Sequence, residues 1–232
     1  MSGKMKWFYC LVAVSLMCYG HAARATQSVC YGSTANGRLA QGVALPAQGE
    51  NYVAYSALAR WLGRTYVHSQ VRDIFVASYQ RLQQRHPDKV FKYAETGFEQ
   101  GGRFYPHKTH QNGLSIDFMT PVVDKEGRSV HLPTHVLNKF GYNIEFDAKG
   151  EFEGYRIDYT ALAAHIVALH QAAKAAGYDV WRVIFDPELQ PELYKTPYGD
   201  YLRQHIQFSK RRSWVRHDEH YHVDFKIDCQ PS

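Results

Sequence analysis

Between residues 69 and 84 the apolar side chains Val71, Ile74, Phe75, Tyr79 and Leu82 recur close to helical spacing, which predicts an amphipathic helix stopped by Pro87. Residues 90–94 then read as a short strand, followed by a turn carrying Gly97, Gly101 and Gly102. Residues 114–119 alternate. Leu114, Ile116 and Phe118 face one side and Ser115 and Asp117 the other, so the Asp117 carboxylate leaves its strand away from the core. The strongest helical signal opens at Tyr159-Thr160, with Leu162, Ile166, Leu169 and Ala173 on one stripe and Gly177 as its stop. A buried strand over 180–185, a helical piece over 200–208 and a last strand ending near Ile227 follow, with His220, His222 and Asp224 on one side of that strand. Residues 31–49 carry Gly, Ser and Pro, and residues 122–154 are rich in turn formers and have no clear period; the second stretch is expected to be a long insertion, a hairpin or a lid. The whole is predicted as α+β, an antiparallel sheet presenting polar side chains on one face with helices packed on the other.

The first residues bear on where the protein works. Lys4 and Lys6 precede an apolar run from Trp7 to about Gly20, and Ala23-Arg24-Ala25 supplies the small residues that a signal peptidase accepts. The run is short of the roughly 20 residues of a spanning helix, so residues 1–25 are expected to be a cleaved signal peptide rather than an anchor. Met17 before Cys18 fits lipid modification poorly. Of four cysteines, Cys10 and Cys18 would leave with the signal, and Cys30 and Cys229 would remain as a disulfide tying together the ends of the mature chain in an oxidising compartment.

Loss of Lys4, Lys6 and Arg24 takes the formal charge from +5 to +2. A nearly neutral chain, whose one basic run is Lys210-Arg211-Arg212, gives no footprint for nucleic acid. With no internal repeat and no low-complexity tract, residues 26–232 are expected to form a single domain.

Two histidine clusters carry the chemistry: His107-Lys-Thr-His110-Gln-Asn-Gly113-Leu-Ser-Ile-Asp117 and His217-Asp-Glu-His220-Tyr-His222. A catalytic zinc takes three protein ligands and leaves a position open for water, and His110, Asp117 and His222 can supply the three. Gly113 lets the backbone turn between His110 and Asp117, and His222 arrives from a second strand, so the metal would bridge neighbouring strands. A metal so held polarises a carbonyl and brings the pKa of a water from near 16 to near 7. His220 projects from the same strand face as His222 and is assigned to proton transfer or to stabilising a tetrahedral intermediate. Glu219 competes for the role of base, although in a regular strand it would point to the opposite face. His107 and His217, each three residues upstream of a cluster histidine, suit support of the ligands, substrate contact or a further metal. His165 and His170 on the long helix read as hydrogen-bonded structural residues. Either cluster alone says little; the pair, with Gly113 at the turn, points to a metallohydrolase.

The segments Gly101-Gly-Arg-Phe104, His107 to Asp117, Val183-Ile-Phe-Asp-Pro187 and Trp214-Val-Arg-His-Asp-Glu-His-Tyr-His-Val223 resemble the penicillin-insensitive murein endopeptidases. These are zinc peptidases related in fold to lysostaphin-type enzymes and D-Ala-D-Ala carboxypeptidases. The resemblance spans roughly residues 90–225. It implies a periplasmic enzyme that hydrolyses peptidoglycan cross-links between D-alanine and meso-diaminopimelate, with zinc on His110, Asp117 and His222 and further active-site histidines at His107, His217 and His220. A second zinc is proposed for some members, but Asp124, His131, His135, Asp147 and Asp158 offer no clear pair for it. Two rival functions remain at this point: a D,D-carboxypeptidase acting on stem peptides, and a non-catalytic cell-wall binding module with structural zinc.

Overall fold

A computed structural model describes residues 27–231 except Arg212 and Trp214. The expected signal peptide therefore falls outside the described residues, as do Arg212 of the basic run and Trp214 of the second motif. Among the described residues no helix is long and apolar enough to cross a membrane.

The centre is a five-stranded sheet built from β1 (Tyr52–Ala54), β2 (Phe91–Tyr93), β3 (Ser115–Met119), β4 (Asp179–Ile184) and β5 (His220–Lys226), in the spatial order β4-β5-β3-β2-β1. All neighbours are antiparallel except β1 and β2, which run parallel. The two long helices, α1 (Ser69–Arg85) and α2 (Tyr159–Ala175), match the periodic segments of the sequence. Asp158 caps α2 by accepting from the Ala161 amide at 2.9 Å, and Gly177 follows its end at φ 82°.

Both helices cover one face of the sheet. Phe118 of β3 stacks on Tyr221 of β5, with ring centroids 5.3 Å apart, and on Phe75 of α1 at 6.2 Å. His165 of α2 stands edge-on to Phe118 at 4.7 Å and hydrogen-bonds the Tyr221 hydroxyl through Nδ1. Each such aromatic or aliphatic side chain contributes about 1.5–3 kcal/mol by leaving water, which fixes which face of β3 and β5 is core. Strict alternation then sends Asp117, His220, His222 and Asp224 to the other face.

Three elements depart from the pattern. In α2 burial runs continuously from Ala161 to His170 instead of along one stripe, because α1, β4 and the short helices Gln190–Leu193 and Gly199–His205 enclose it. His165 and His170 are accordingly buried and hydrogen-bonded, His170 to Tyr201 at 2.7 Å. The strand expected to be buried, β4, is an edge strand; Val180 and Val183 enter the core while Trp181 is 47 % exposed. Its free side is met by residues 207–209, where the Val183 amide donates to Gln207 O and the Ser209 amide to Val183 O, both at 2.9 Å. The aperiodic segment 122–154 contributes hairpins to a small sheet of Val122–Val123, Ser129–Val130, Glu151–Phe152 and Tyr155–Ile157, with a 3-10 turn at Val136–Gly141 between them.

Cys30 and Cys229 form the disulfide, with Cα atoms 4.8 Å apart and a sequence separation of 199. Backbone bonds from Gly32 N to Gln230 O and from Gln230 N to Cys30 O flank it. Closing a loop of this length is worth about 5 kcal/mol in the chain-entropy account.

Candidate metal centre and catalytic cleft

β3 and β5 are adjacent and antiparallel, in a register that puts His222 directly opposite Asp117 and Asp224 opposite Ser115. The His222 Nδ1 lies 2.8 Å from Asp117 Oδ1, and both side chains are buried. His110 comes from the loop before β3 at φ 70°. Gly113, at φ 77°, completes that loop where no side chain fits: a Cβ there would stand 2.6 Å from Leu39 Cδ2 and 2.8 Å from the His68 backbone nitrogen.

The state of His110 follows from its partners. Its Nδ1 is 3.0 Å from the Thr96 carbonyl, which can only accept, so Nδ1 carries the proton and Nε2 the lone pair. Burial lowers its pKa against the pull of Asp117, keeping the ring neutral. That Nε2 is buried, has no hydrogen-bond partner among the described residues and sits 3.2 Å from Asp117 Oδ1. An unprotonated imidazole nitrogen orphaned beside a carboxylate is the donor set a divalent cation would complete. His107 adds another: His107, His110 and Asp117 each place a donor atom within 4.8 Å of the others, a grouping that could hold a metal ion. The sequence points to His110, Asp117 and His222 as ligands and to His107 for support of the ligands, substrate contact or a further metal; the fold gathers the three histidines around Asp117.

His222 is held at both ends. Its Nε2 lies 2.8 Å from Asp224 Oδ1, and Asp224 in turn accepts from Ser115 Oγ at 2.6 Å and Arg182 Nε at 2.7 Å. Burial alone would lower the His222 pKa, but the Asp224 charge and hydrogen bonds to Asp117 and Asp224 outweigh it and push it up to about 10. The proton on Nδ1 thus stands on the nitrogen that faces Asp117.

His107 is fixed by Glu95, 2.5 Å from its Nε2. Burial would raise the Glu95 pKa, yet His107 and Arg64 bring it down to about 2. Tyr55 also donates to Glu95, at 2.8 Å, and Arg64 binds both carboxylate oxygens.

Glu219 overturns one expectation. It does not point away from His220: its Oε1 lies 2.7 Å from His220 Nδ1, and both side chains line the same cavity. The reason is local. β5 begins at His220, and His217 sits at φ 58°, so the turn before the strand does not obey strand alternation. Burial raises the Glu219 pKa to about 8 and lowers those of His220 and His217 to about 4 and 3. His217 itself bonds the Val215 carbonyl through Nδ1 at 3.0 Å and packs against His220, ring centroids 4.6 Å apart.

The cavity over this face has a volume of about 710 Å³, and Tyr55, His107, Tyr142, Glu219, His220 and His222 are among its walls. Tyr142, whose hydroxyl is 3.4 Å from Asp117 Oδ2, and the Glu95–Arg64 pair escaped the sequence reading. No motif marks any of them; Tyr142 lies in the aperiodic segment, and Glu95 merely follows a three-residue strand.

The family model of the penicillin-insensitive murein endopeptidases matches residues 30–232, spanning both histidine clusters and the disulfide. The chain belongs to that family. Comparison with curated proteins finds no match. As a murein endopeptidase family member the chain is a peptidase, and peptidoglycan is the substrate its family implies. In this murein peptidase the three aspartates named for a second metal have other work. Asp124 accepts from the Glu126 and Arg128 amides, Asp147 from those of Lys149 and Glu151, and Asp158 caps α2 while pairing with Lys89 at 3.0 Å.

Proposed function

We propose that the protein is a periplasmic zinc endopeptidase that hydrolyses the D-alanyl–meso-diaminopimelyl cross-links of peptidoglycan. The observation that carries this reading is the division of labour at Asp117: Oδ1 faces His110 and His222, while Oδ2 faces His107, His220 and Tyr142 at 3.6, 3.8 and 3.4 Å. One carboxylate thereby joins a ligand set to a set of groups that can handle protons. His110, Asp117 and His222 would hold the ion, with His107 adjoining. When bound, a zinc ion supplies Lewis acidity and brings the pKa of a water near 7.

The protein's own groups supply the rest. Near neutral pH His220 is unprotonated overall and Glu219 retains its proton, so the carboxyl donates to Nδ1 and the imidazole presents Nε2–H to the cavity. As Nε2–H is given up, the Glu219 proton passes to Nδ1 and the imidazole stays neutral with its lone pair now on Nε2, so the pair can act first as acid and then as base at one atom. Asp224 and Arg182 orient His222, and Glu95 orients His107. The disulfide fits the oxidising compartment where peptidoglycan lies. No serine is required to form an acyl-enzyme, so β-lactams have no covalent target here.

The test is mass spectrometry of purified cross-linked muropeptide dimers incubated with the protein, with and without chelator, alongside metal analysis. Monomers that appear only with the metal support the reading. Trimming of monomeric stem peptides while dimers survive would replace it with a carboxypeptidase.

A further inference from the structure

The segment from His135 to Tyr142 is built to hold one side chain still. Lys139, Phe140 and Gly141 stand in succession at φ 50°, 58° and 102°, and the first two are residues for which this region is costly, about 1–3 kcal/mol each. The turn is locked from several sides. Asn138 Oδ1 accepts from the His135 and Gly141 amides, and its Nδ2 donates to Pro133 O, all at 2.9 Å. Phe140 meets Tyr55 edge-on, with ring centroids 6.1 Å apart. At Gly141 a Cβ would stand 2.5 Å from Met119 Cε, so the backbone lies directly on the end of β3.

What this geometry delivers is Tyr142. Its ring packs against His220 at 4.9 Å and His107 at 5.9 Å, and it lines the same cavity as Glu219 and His222. Among the described residues the hydroxyl has one hydrogen-bond partner, Asp117 Oδ2 at 3.4 Å, which is the long limit of a hydrogen bond. A donor so loosely engaged loses little by turning to a substrate atom, and catalytic hydrogen bonds are often long before substrate arrives.

We propose that Tyr142 is a catalytic residue: its phenol donates a hydrogen bond to the scissile carbonyl oxygen as that oxygen becomes an oxyanion. This rests on the peptidase reading above and adds a residue to it. The phenol keeps its proton throughout; the bond is electrostatic, formed most strongly with the tetrahedral species, and no atom is transferred to or from Tyr142. The strained turn fixes the donor before the reaction, which is where such stabilisation gets its value.

Tyr142→Phe removes the hydroxyl and keeps the ring packing. Removing a single preorganised donor lowers kcat by roughly 10²–10³-fold, with KM for the cross-linked dimer changed less than about threefold, since the bond is made chiefly in the transition state. Metal stoichiometry and the thermal midpoint should stay at wild-type values. A phosphinate analogue of the D-alanyl–diaminopimelyl bond, which mimics the tetrahedral species, should lose affinity in parallel with kcat/KM across Tyr142→Phe and Tyr142→Leu. Undiminished kcat, a raised KM at constant kcat, loss of metal, or unchanged phosphinate affinity would each overturn the proposal. If the wild-type protein leaves dimers intact, the peptidase reading fails and takes this one with it; an active wild type with an equally active Tyr142→Phe variant sinks the role of Tyr142 alone.

Discussion

Asp117 and His222 meet across two neighbouring antiparallel strands, Oδ1 to Nδ1 at 2.8 Å, as directly paired residues of the ladder. Sheet hydrogen bonding thus sets their separation, with no dependence on loop conformation. Substituting either partner removes a donor atom from a site whose remaining groups are fixed in place. His222→Ala and Asp117→Ala should each lose stoichiometric zinc by elemental analysis and lose dimer cleavage with it. A fully active His222→Ala protein would end the metallopeptidase account.

Metal uptake should rise with pH. His222 holds a proton up to about pH 10 in the metal-free protein, and a metal taking Nδ1 must displace it. Affinity is expected to climb about tenfold per pH unit between 7 and 9, as measured by competition with a chelating dye whose own protonation is corrected. Asp224→Asn, which withdraws one of the two charges holding that proton, should flatten the climb.

The stability of the metal-free protein should fall as pH rises above about 6.5. Glu219 and His222 have folded-state pKa values of about 8 and 10, both raised above their unfolded values. In that window the native chain binds protons that the unfolded chain has released, so unfolding becomes easier with each added pH unit. The Glu219 contribution is present in full at low pH and gone above about 8; that of His222 persists until about 10. Thermal melts of the chelated protein from pH 6.5 to 10 should show the decline, with Glu219→Gln melting along a shallower slope below pH 8. The buried neutral histidines His217 and His220 act in the opposite sense, but below pH 6.5.

His220→Ala should separate binding from turnover. With His110, Asp117 and His222 intact, zinc content is expected to be unchanged while kcat falls by about 10²–10⁴-fold. Loss of zinc in this variant would move His220 from proton handling to metal ligation.

Gly113→Ala should destabilise the fold and the site together. The added methyl meets a backbone nitrogen, which cannot rotate away, and the residue sits at φ 77°. A cost of about 2–3 kcal/mol is expected in denaturant titration. A neutral substitution would show that the His110 loop relaxes freely.

What the sequence made legible follows from periodicity. Residues 114–119 and 220–224 alternate without interruption, so the facing of Asp117, His220, His222 and Asp224 could be read before any coordinates. Glu219 departs from the alternation because it lies one residue before the strand, in a turn that bends at His217. Tyr142, Arg64 and Glu95 were invisible for a different reason. They come from separate elements and meet only through tertiary packing, and the turn that aims Tyr142 uses left-handed Lys139 and Phe140, residue types that carry no turn signal. The edge position of β4 was likewise unreadable, because Val180 and Val183 give the same signal in a strand with one neighbour as in a strand with two.

The docking of residues 207–209 along β4 reaches further than capping two backbone groups of Val183. An outermost strand with open amides invites a foreign strand to add itself, and here that place is already taken by the protein's own chain. Arg182 lies on that margin and connects through Asp224 to His222. Guarding the margin against stray pairing therefore also shelters the alignment of the imidazole two contacts inward.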